Sequence, residues 1–552
     1  MGRDVLEKHL VAELKTLEDF RQRHDKRHPS GRVEREDPDV RRLIEAMGFF
    51  SVRTRLATIR NVQATWRRLF GAYFGYLLDP LPSKLLVSAQ VTPRMVESTV
   101  LEAGSELRIT APSGQVGYFR ITSELRIVPV TLESLQLIPL RGGTRLVLNL
   151  RSRFPRTDAV GLLRILIQYI DNYDAALRVH YQLRAHTRRA FAVYEDVVTD
   201  ESDGPDCLLS YGSVFQEPHQ PDTRNPLLKV RSFFHFPQEE LFVNLDVPRS
   251  RKPWSRVAIC LDLDDDWPRD PVPTADMFQL FAVPAENLRK ESSEPIPCDG
   301  TQEAYPIRYH NPSLGYSLQS TLGVYRIDPE GMTPLQPGIL QSSDAQLAYE
   351  VEERIDDLYN GRFLIVRMPG ALMNPVRLVL EGLWHQPGFA REAVGKLKIN
   401  LPHRNQEGLL FQPLSDVKPH AETALGQDAM ALLRLLAMRM KSVLDTRELH
   451  QLLHVLGTVA SSPFQDLPQR IKHLSVELAP DSAMRGSGLR HVYKLTMDRF
   501  EPDEEALVWM FLQQVRELLD TWNSDATVEL SVDAGGSKFR MPLHPAEGSS
   551  LR

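Results

Sequence analysis

RSFFHFPQEELFVNLDV, from Arg231 to Val247, is the stretch on which the fold turns. It packs Phe233, Phe234, Phe236, Pro237, Leu241, Phe242, Val243 and Leu245 into one short span. No general base, metal cluster or phosphate loop accompanies it. An alternating and continuous apolar run with one proline at a turn predicts a buried strand pair. The expected role of the segment is therefore core.

On its N-terminal side the pattern changes twice. Val5, Leu6, Leu10, Leu14, Leu17 and Phe20 recur at helical spacing, with charges opposite. His28 to Val40 reads as a loop, after which Asp37 caps a second helix with Pro38 at its first position. That helix carries Val40, Leu43, Ile44, Met47, Phe50 and Val52, then Trp66, Phe70, Tyr73, Phe74 and Tyr76. It stops before Asp79–Ser83, where Pro80 and Pro82 block continuation. From Leu85 to Thr199 short alternating runs predict strands, while Leu162–Ile170 is open to strand or helix. Further strands are expected at Tyr316–Ile327, Arg362–Met368 and Val376–His385, with an irregular stretch beyond them. Helices follow over Met430–Leu444 and Thr446–Gly457, then strands over His473–Leu478 and Leu489–Asp498. A helix over Glu501–Trp522 and a strand over Ala526–Val532 complete the pattern.

The predicted class is α+β and multidomain. A helical region over 1–84 precedes a β-rich domain over 85–200 and a β-sandwich-like middle over 201–426. An α+β domain follows over 427–543, and 544–552 is expected to be a disordered tail.

Composition narrows the function classes. A 552-residue chain that is 42% apolar and 25% charged has ordinary globular composition. Its net charge of −6 provides no basic field for nucleic acid. Cys207, Cys260 and Cys298 are too sparse for a disulfide framework, which points to a reducing compartment. No signal-peptide pattern and no apolar run of about 18 residues is present, so a cytoplasmic protein without a membrane span is expected.

The motifs that would carry chemistry are incomplete. His450 and His454 share a helix face near Glu448, without a third ligand. Asp262, Asp264 and Asp266 alternate as in a calcium loop, but Trp267 replaces the turn glycine and Pro273 the bidentate glutamate. Arg141–Arg145 is a hairpin turn, not a phosphate loop. Arg178–Phe191 mixes Arg, His, Tyr and Phe and reads as a solvated or partner-facing patch. No cofactor, metal or catalytic residue is assigned. Dispersed carboxylates leave a β-rich carbohydrate-acting enzyme, or a binding module, as the alternative to a structural protein.

Several segments resemble, in order, the TssF family of type VI secretion baseplate subunits. Asp37 and Pro38 open DPDVRRLIEAMGFFSVR, which holds Phe49 and Phe50 and is similar to the family's DPxVxRLLExFAFLxAR. Pro82 lies in the proline turn after the helical region. Phe233, Phe234, Phe236, Pro237 and Phe242 match its FFxFP segment, and Asn287 and Leu288 match its N-L element. Glu303–Leu318 resembles a further Tyr-Pro element. The chain departs from the family at Gly71–Leu77, Met484–Gly488 and Thr521–Leu530. The resemblance implies a non-enzymatic wedge subunit. Its partners would be a second copy of itself, TssG-like, TssK-like and TssE-like subunits, a VgrG-like spike hub and the sheath. It would sit in the cytoplasm, docked at the inner membrane only through those partners. The motif residues then become candidate interface positions.

Overall fold

Two long helices begin the chain: α1 (Gly2–Arg27) and α2 (Pro38–Leu78). This computed structural model describes residues 2–27, 38–169, 172–212, 226–338, 347–355, 360–367, 375–402, 408–423, 429–439, 441, 443–480, 489–522, 527–535 and 537–541. α2 has 41 residues, which makes it about 60 Å long. α1 lies against the first half of α2, where Gly48 allows close approach. A Cβ at that position would meet Leu14 Cδ2 at 2.9 Å. The far end of α2 enters the body, where Phe70 and Leu77 join a core that also holds Leu432, Leu435 and Met438.

Beyond Pro80 the backbone extends into a closed six-stranded barrel. Its strands are, in spatial order, Lys84–Val91, Ala282–Glu286, Val116–Ile121, Glu106–Thr110, Lys398–Asn400 and Leu409–Pro413. The barrel therefore takes strands from both sides of the sequence division at 200, and its last two come from the stretch read as irregular. One four-stranded sheet beside it orders Val130–Leu140, Gly143–Arg156, Trp254–Leu263 and Thr187–Tyr194. Another orders Leu208–Tyr211, Phe242–Val247, Gly161–Ile167 and Phe278–Leu280. Residues 289–385 form two further sheets around a separate core containing Tyr309, Tyr316, Val324, Leu380 and Trp384.

The remaining helices are α3 (Tyr173–His186), α4 (Pro226–His235), α5 (Phe389–Glu392), α6 (Ala429–Arg439), α7 (Thr446–Leu456), α8 (Leu467–Arg470) and α9 (Glu505–Trp522). In the C-terminal unit, Leu489–Met497 and Thr527–Ala534 pair in parallel, joined through α9. A parallel pair needs such a crossover. Ile471–Pro480 and Ser537–Met541 flank this pair as antiparallel edges. The last of these strands lies beyond the one expected from sequence.

Two helices also differ from the sequence expectation. The Arg231–Val247 stretch is not a strand pair. Its first half is the end of α4, Pro237–Glu240 is a 3-10 turn, and only Phe242–Val247 is a strand. Leu227, Val230 and Phe234 recur at helical spacing, but Arg231, Phe233 and His235 are buried too and only Leu228, Lys229 and Ser232 are half-exposed, so the period is masked. α3 is a helix inside the region read as short strands. Its signal is the cap: the Asn172 side chain accepts from the Ala175 amide at 2.9 Å. Leu162–Ile170, open to either reading, contributes the strand Gly161–Ile167.

Candidate interaction surfaces

The motif residues divide by position into an interior set and an exposed set. Asp37 lies outside the described residues. Pro38 is exposed at the start of α2. Phe49 and Phe50 are 37% and 65% exposed, their rings meeting edge to face at 5.9 Å. Phe233 and Phe234 are 3% and 0% exposed. Phe236, Pro237 and Phe242 are buried with them.

The buried set ties distant segments together. Phe233 and Phe234 both meet Phe464, at 5.3 and 5.7 Å, and Phe234 also meets Phe511 of α9 at 6.0 Å. Offset and edge-on aromatic contacts add about 0.5–1.5 kcal/mol per pair beyond area burial. The FFxFP segment is thus the seam between the middle of the chain and its C-terminal unit. Asn287 is fully buried and makes a polar knot. Its Oδ1 accepts from the Gln386 amide at 2.6 Å, and its Nδ2 donates to the Tyr118 carbonyl at 3.0 Å. Its own amide donates to the Ser83 carbonyl at 2.8 Å. Leu288 is buried beside it. Asparagine suits this position because it offers a donor and an acceptor at once.

A charged cluster anchors the base of α2, and sequence reading did not find it. Arg231 is buried and donates to the Asp79 carbonyl at 2.6 Å, while Arg362 donates to Asp79 Oδ1 at 3.1 Å. Burial pushes the Asp79 carboxyl up, and the two guanidinium groups oppose that shift. Burial lowers Arg231 to about 10, which leaves it charged at neutral pH. Pro82 is buried, and its carbonyl accepts from His235 Nε2 at 3.1 Å. Burial drives His235 down to about 3, so its ring is neutral. Lys84 donates to Glu239 at 2.7 and 2.9 Å and to Ser232 Oγ at 2.7 Å. Burial raises the Glu239 carboxyl while Lys84 opposes it. Leu81 and Ala421 exchange backbone hydrogen bonds at 2.8 and 3.0 Å. The only sequence signals for this cluster are isolated charges inside apolar runs, such as Arg231 before the two phenylalanines.

The incomplete chemical motifs have structural partners. Asp262 pairs with Arg145 at 2.7 Å and Asp264 with His186 at 2.8 Å. Within Arg178–Phe191, Arg184 stacks over Trp509 at 4.8 Å and Tyr181 donates to Glu505 at 3.0 Å. That patch is largely an internal contact between α3 and α9. His454 is exposed on α7, and among the described residues no group of three His, Cys, Asp or Glu could hold a metal ion. Among the described residues, no helix is long and apolar enough to cross a membrane.

On α2 several large apolar residues are exposed together. Leu43, Met47 and Phe50 are 61%, 56% and 65% exposed and lie on one stripe at spacings of four and three. Thr54 and Thr58 extend the stripe, and with Phe50, Ser51 and Arg55 they line an open groove of about 730 Å³. Soluble chains seldom leave such a continuous stripe uncovered without a partner for it.

The chain combines two long N-terminal helices, a closed six-stranded barrel, further sheets and a C-terminal α+β unit. One chain from the cryo-electron microscopy structure of the type VI secretion system TssK-TssF-TssG baseplate subcomplex has this fold. It matches with a TM-score of 0.73 at 16% identity, over 91% of this chain and 98% of that one. A chain from the structure of the baseplate complex from the type VI secretion system matches with a TM-score of 0.59 at 14% identity, over 97% of this chain and 98% of that one. No curated protein sequence matches the chain. The family model for the type VI secretion system protein TssF matches residues 7–337, more than half of the chain. The chain belongs to the TssF family.

Proposed function

We propose that the chain acts as a structural subunit of the baseplate wedge of a type VI secretion machine. The family match over residues 7–337 carries this reading. In it, two copies join one TssG-like subunit and bind a TssK-like adaptor. The wedge stands with a TssE-like subunit around a VgrG-like spike hub, beneath the sheath. The work is done in the cytoplasm, and any membrane contact runs through partners. The role is assembly, not catalysis.

The physical division of labour supports this reading. The body is braced by the aromatic seam around Phe234, the Asn287 knot and the Lys84–Glu239 pair. The arm formed by α1 and α2 leaves Leu43, Met47 and Phe50 uncovered. Obligate interfaces have core-like composition, so such a stripe suits a permanent contact. Co-expression with TssG-like and TssK-like proteins of the same genome, followed by native mass spectrometry, tests the reading. A complex with two copies of this chain per TssG-like subunit is expected. A lone monomer that ignores both proteins would defeat it.

A further inference from the structure

One end of the sheet built from Val130–Leu140, Gly143–Arg156, Trp254–Leu263 and Thr187–Tyr194 carries a charge that its own strands do not balance. Residues 134–157 contain five arginines and no acid, and residues 247–261 three arginines, one lysine and no acid, in a chain whose net charge is −6. The two segments lie side by side, because Gly143–Arg156 pairs with Trp254–Leu263. Arg145 and Arg156 are buried and answered by Asp262 and Asp158. Arg151, Arg153, Arg249, Arg251, Lys252 and Arg256 are all exposed. Arg151 and Arg256 stand directly opposite each other on neighbouring strands. Such partners lie about 5 Å apart, and like charges there are destabilising. Glu133, 2.9 Å from Arg151, relieves one of them. Glu195 spends its Oε1 on the backbone amides of Ser255 and Arg256. Among the described residues, Arg153, Arg251, Lys252 and Arg256 form no ion pair. Phe154 is 45% exposed beside them, with the Arg153 guanidinium 5.8 Å from its ring centre.

We propose that this end of the sheet receives an acidic segment of another protein. The fold keeps two opposed arginines at a cost, and an external carboxylate lifts that cost. On one face of a strand, side chains repeat every ~7 Å, so Arg151 and Arg153 match acids at alternate positions of an extended segment. Guanidinium forks accept carboxylate and phosphate alike. Glu133 and Glu195 decide between them. A nucleic acid or an anionic lipid surface would press uniform negative charge against both, whereas a peptide leaves those positions uncharged. A membrane also needs a broad apolar face, and here the apolar share is Phe154, Pro155 and Pro253. A second copy of the chain offers the acid-rich run 195–206. Its Asp203 and Asp206 are already held by Arg189 at 2.8 and 2.6 Å, and its Glu195 by two amides, which leaves Asp196, Asp200 and Glu201 against six cations.

The test uses the full chain and two labelled peptides of about twelve residues, long enough to cross the patch as a strand. One alternates Glu with Thr around a central Leu, and the other has Lys in place of Glu. Fluorescence anisotropy across a salt series reads the affinity, with oligothymidylate and vesicles of phosphatidylserine and phosphatidylcholine as further probes. The Glu peptide is expected to bind about tenfold or more tightly than the Lys peptide, and to weaken as salt rises. R153E/R256E should weaken it by about tenfold, and R249E/R251E should weaken it as well. R108E/K398E, the same change of charge on the exposed face of the barrel, should leave it unchanged. R256E alone faces Arg151 with an opposite charge and should raise the melting temperature by about 1 °C while binding falls. Several results would overturn the proposal: no Glu-peptide binding, equal binding of the two peptides, or tighter binding to oligothymidylate or vesicles. So would an unaffected R153E/R256E variant, an equal loss in R108E/K398E, or self-association that R153E/R256E dissolves. A lower melting temperature in R256E would show that the fold itself needs the arginine, and would overturn it too. The inference stands apart from the wedge reading. A chain that assembles with the TssG-like protein yet ignores the Glu peptide refutes this docking surface alone. One that binds the Glu peptide yet never assembles refutes the wedge reading alone.

Discussion

Two pairs of adjacent phenylalanines sit on helices of this chain and have opposite fates. Phe49 and Phe50 stand on the outer face of α2, 37% and 65% exposed, while Phe233 and Phe234 on α4 are 3% and 0% exposed. Their local sequences are equally apolar. The difference comes from residues far away in the chain. Phe464 and Phe511 close over the second pair, and among the described residues no ring beyond the pair itself meets the first. An aromatic pair marks a surface that must be covered, and the rest of the fold decides whether the cover is internal. On α2 the proposed assembly role would supply the cover from a partner.

The sharpest way to break this comparison is to truncate one ring of each pair. Phe234→Ala should cost about 3–5 kcal/mol in urea unfolding, since it opens a cavity at the seam. Phe50→Ala should stay within about 0.5 kcal/mol, while partner assembly is lost. Equal losses of stability would mean that the two pairs do the same job.

The buried Lys84–Glu239 pair offers a second contrast with the exposed arginines of the arm. Lys84→Met strands a buried carboxylate and should cost about 3–5 kcal/mol. Adding Glu239→Leu should recover most of it, because a buried pair replaced by apolar side chains is often neutral. The corresponding change at Arg53 on the arm should leave unfolding midpoints in place.

Acid should loosen the body selectively. Burial holds His180 and His235 at about 3 and His385 at about 4, all three in the body. Each folded value lies below the ordinary 6.5. Stability from these neutral rings is therefore complete above that value and is lost as pH falls from about 6.5 toward 3–4. At pH 5 the loss is about 2 kcal/mol for each ring. Urea midpoints measured at pH 7.5 and 5 check this, and His235→Gln should flatten the pH slope while still donating to Pro82. A smaller effect than these is expected at the junction of arm and body. Asp79→Asn weakens a partly exposed contact to Arg362 and should cost about 1 kcal/mol.

Much of this was readable in the sequence. The two N-terminal helices, the late helices α7 and α9 and most strands carry clean periods bounded by proline, glycine or a cap. The class of fold and the family followed from motifs in the correct order. The failures have physical causes. α4 lost its helical period because buried residues occupy most of its circumference, and α3 hid its start in a single asparagine cap. The barrel was illegible because its strands come from three separated segments, each too short to announce a partner. The candidate interface residues split for the same reason. Phe233, Phe234 and Asn287 look as conspicuous as Phe50, but only pairing with Phe464, Phe511 and Gln386 shows that they face inward. The Asp79–Arg231–Arg362 cluster had no sequence pattern at all, since its members are 152 and 283 residues from Asp79.

The most direct test of the assembly role of the arm is native mass spectrometry of the full chain co-expressed with a TssG-like protein of the same genome, wild type against L43S/M47S/F50S. The wild-type chain should give a complex with two copies per TssG-like subunit, and the triple variant should melt at the same temperature yet remain alone. A variant that assembles as the wild type does would contradict the assignment of the α2 stripe as the docking surface.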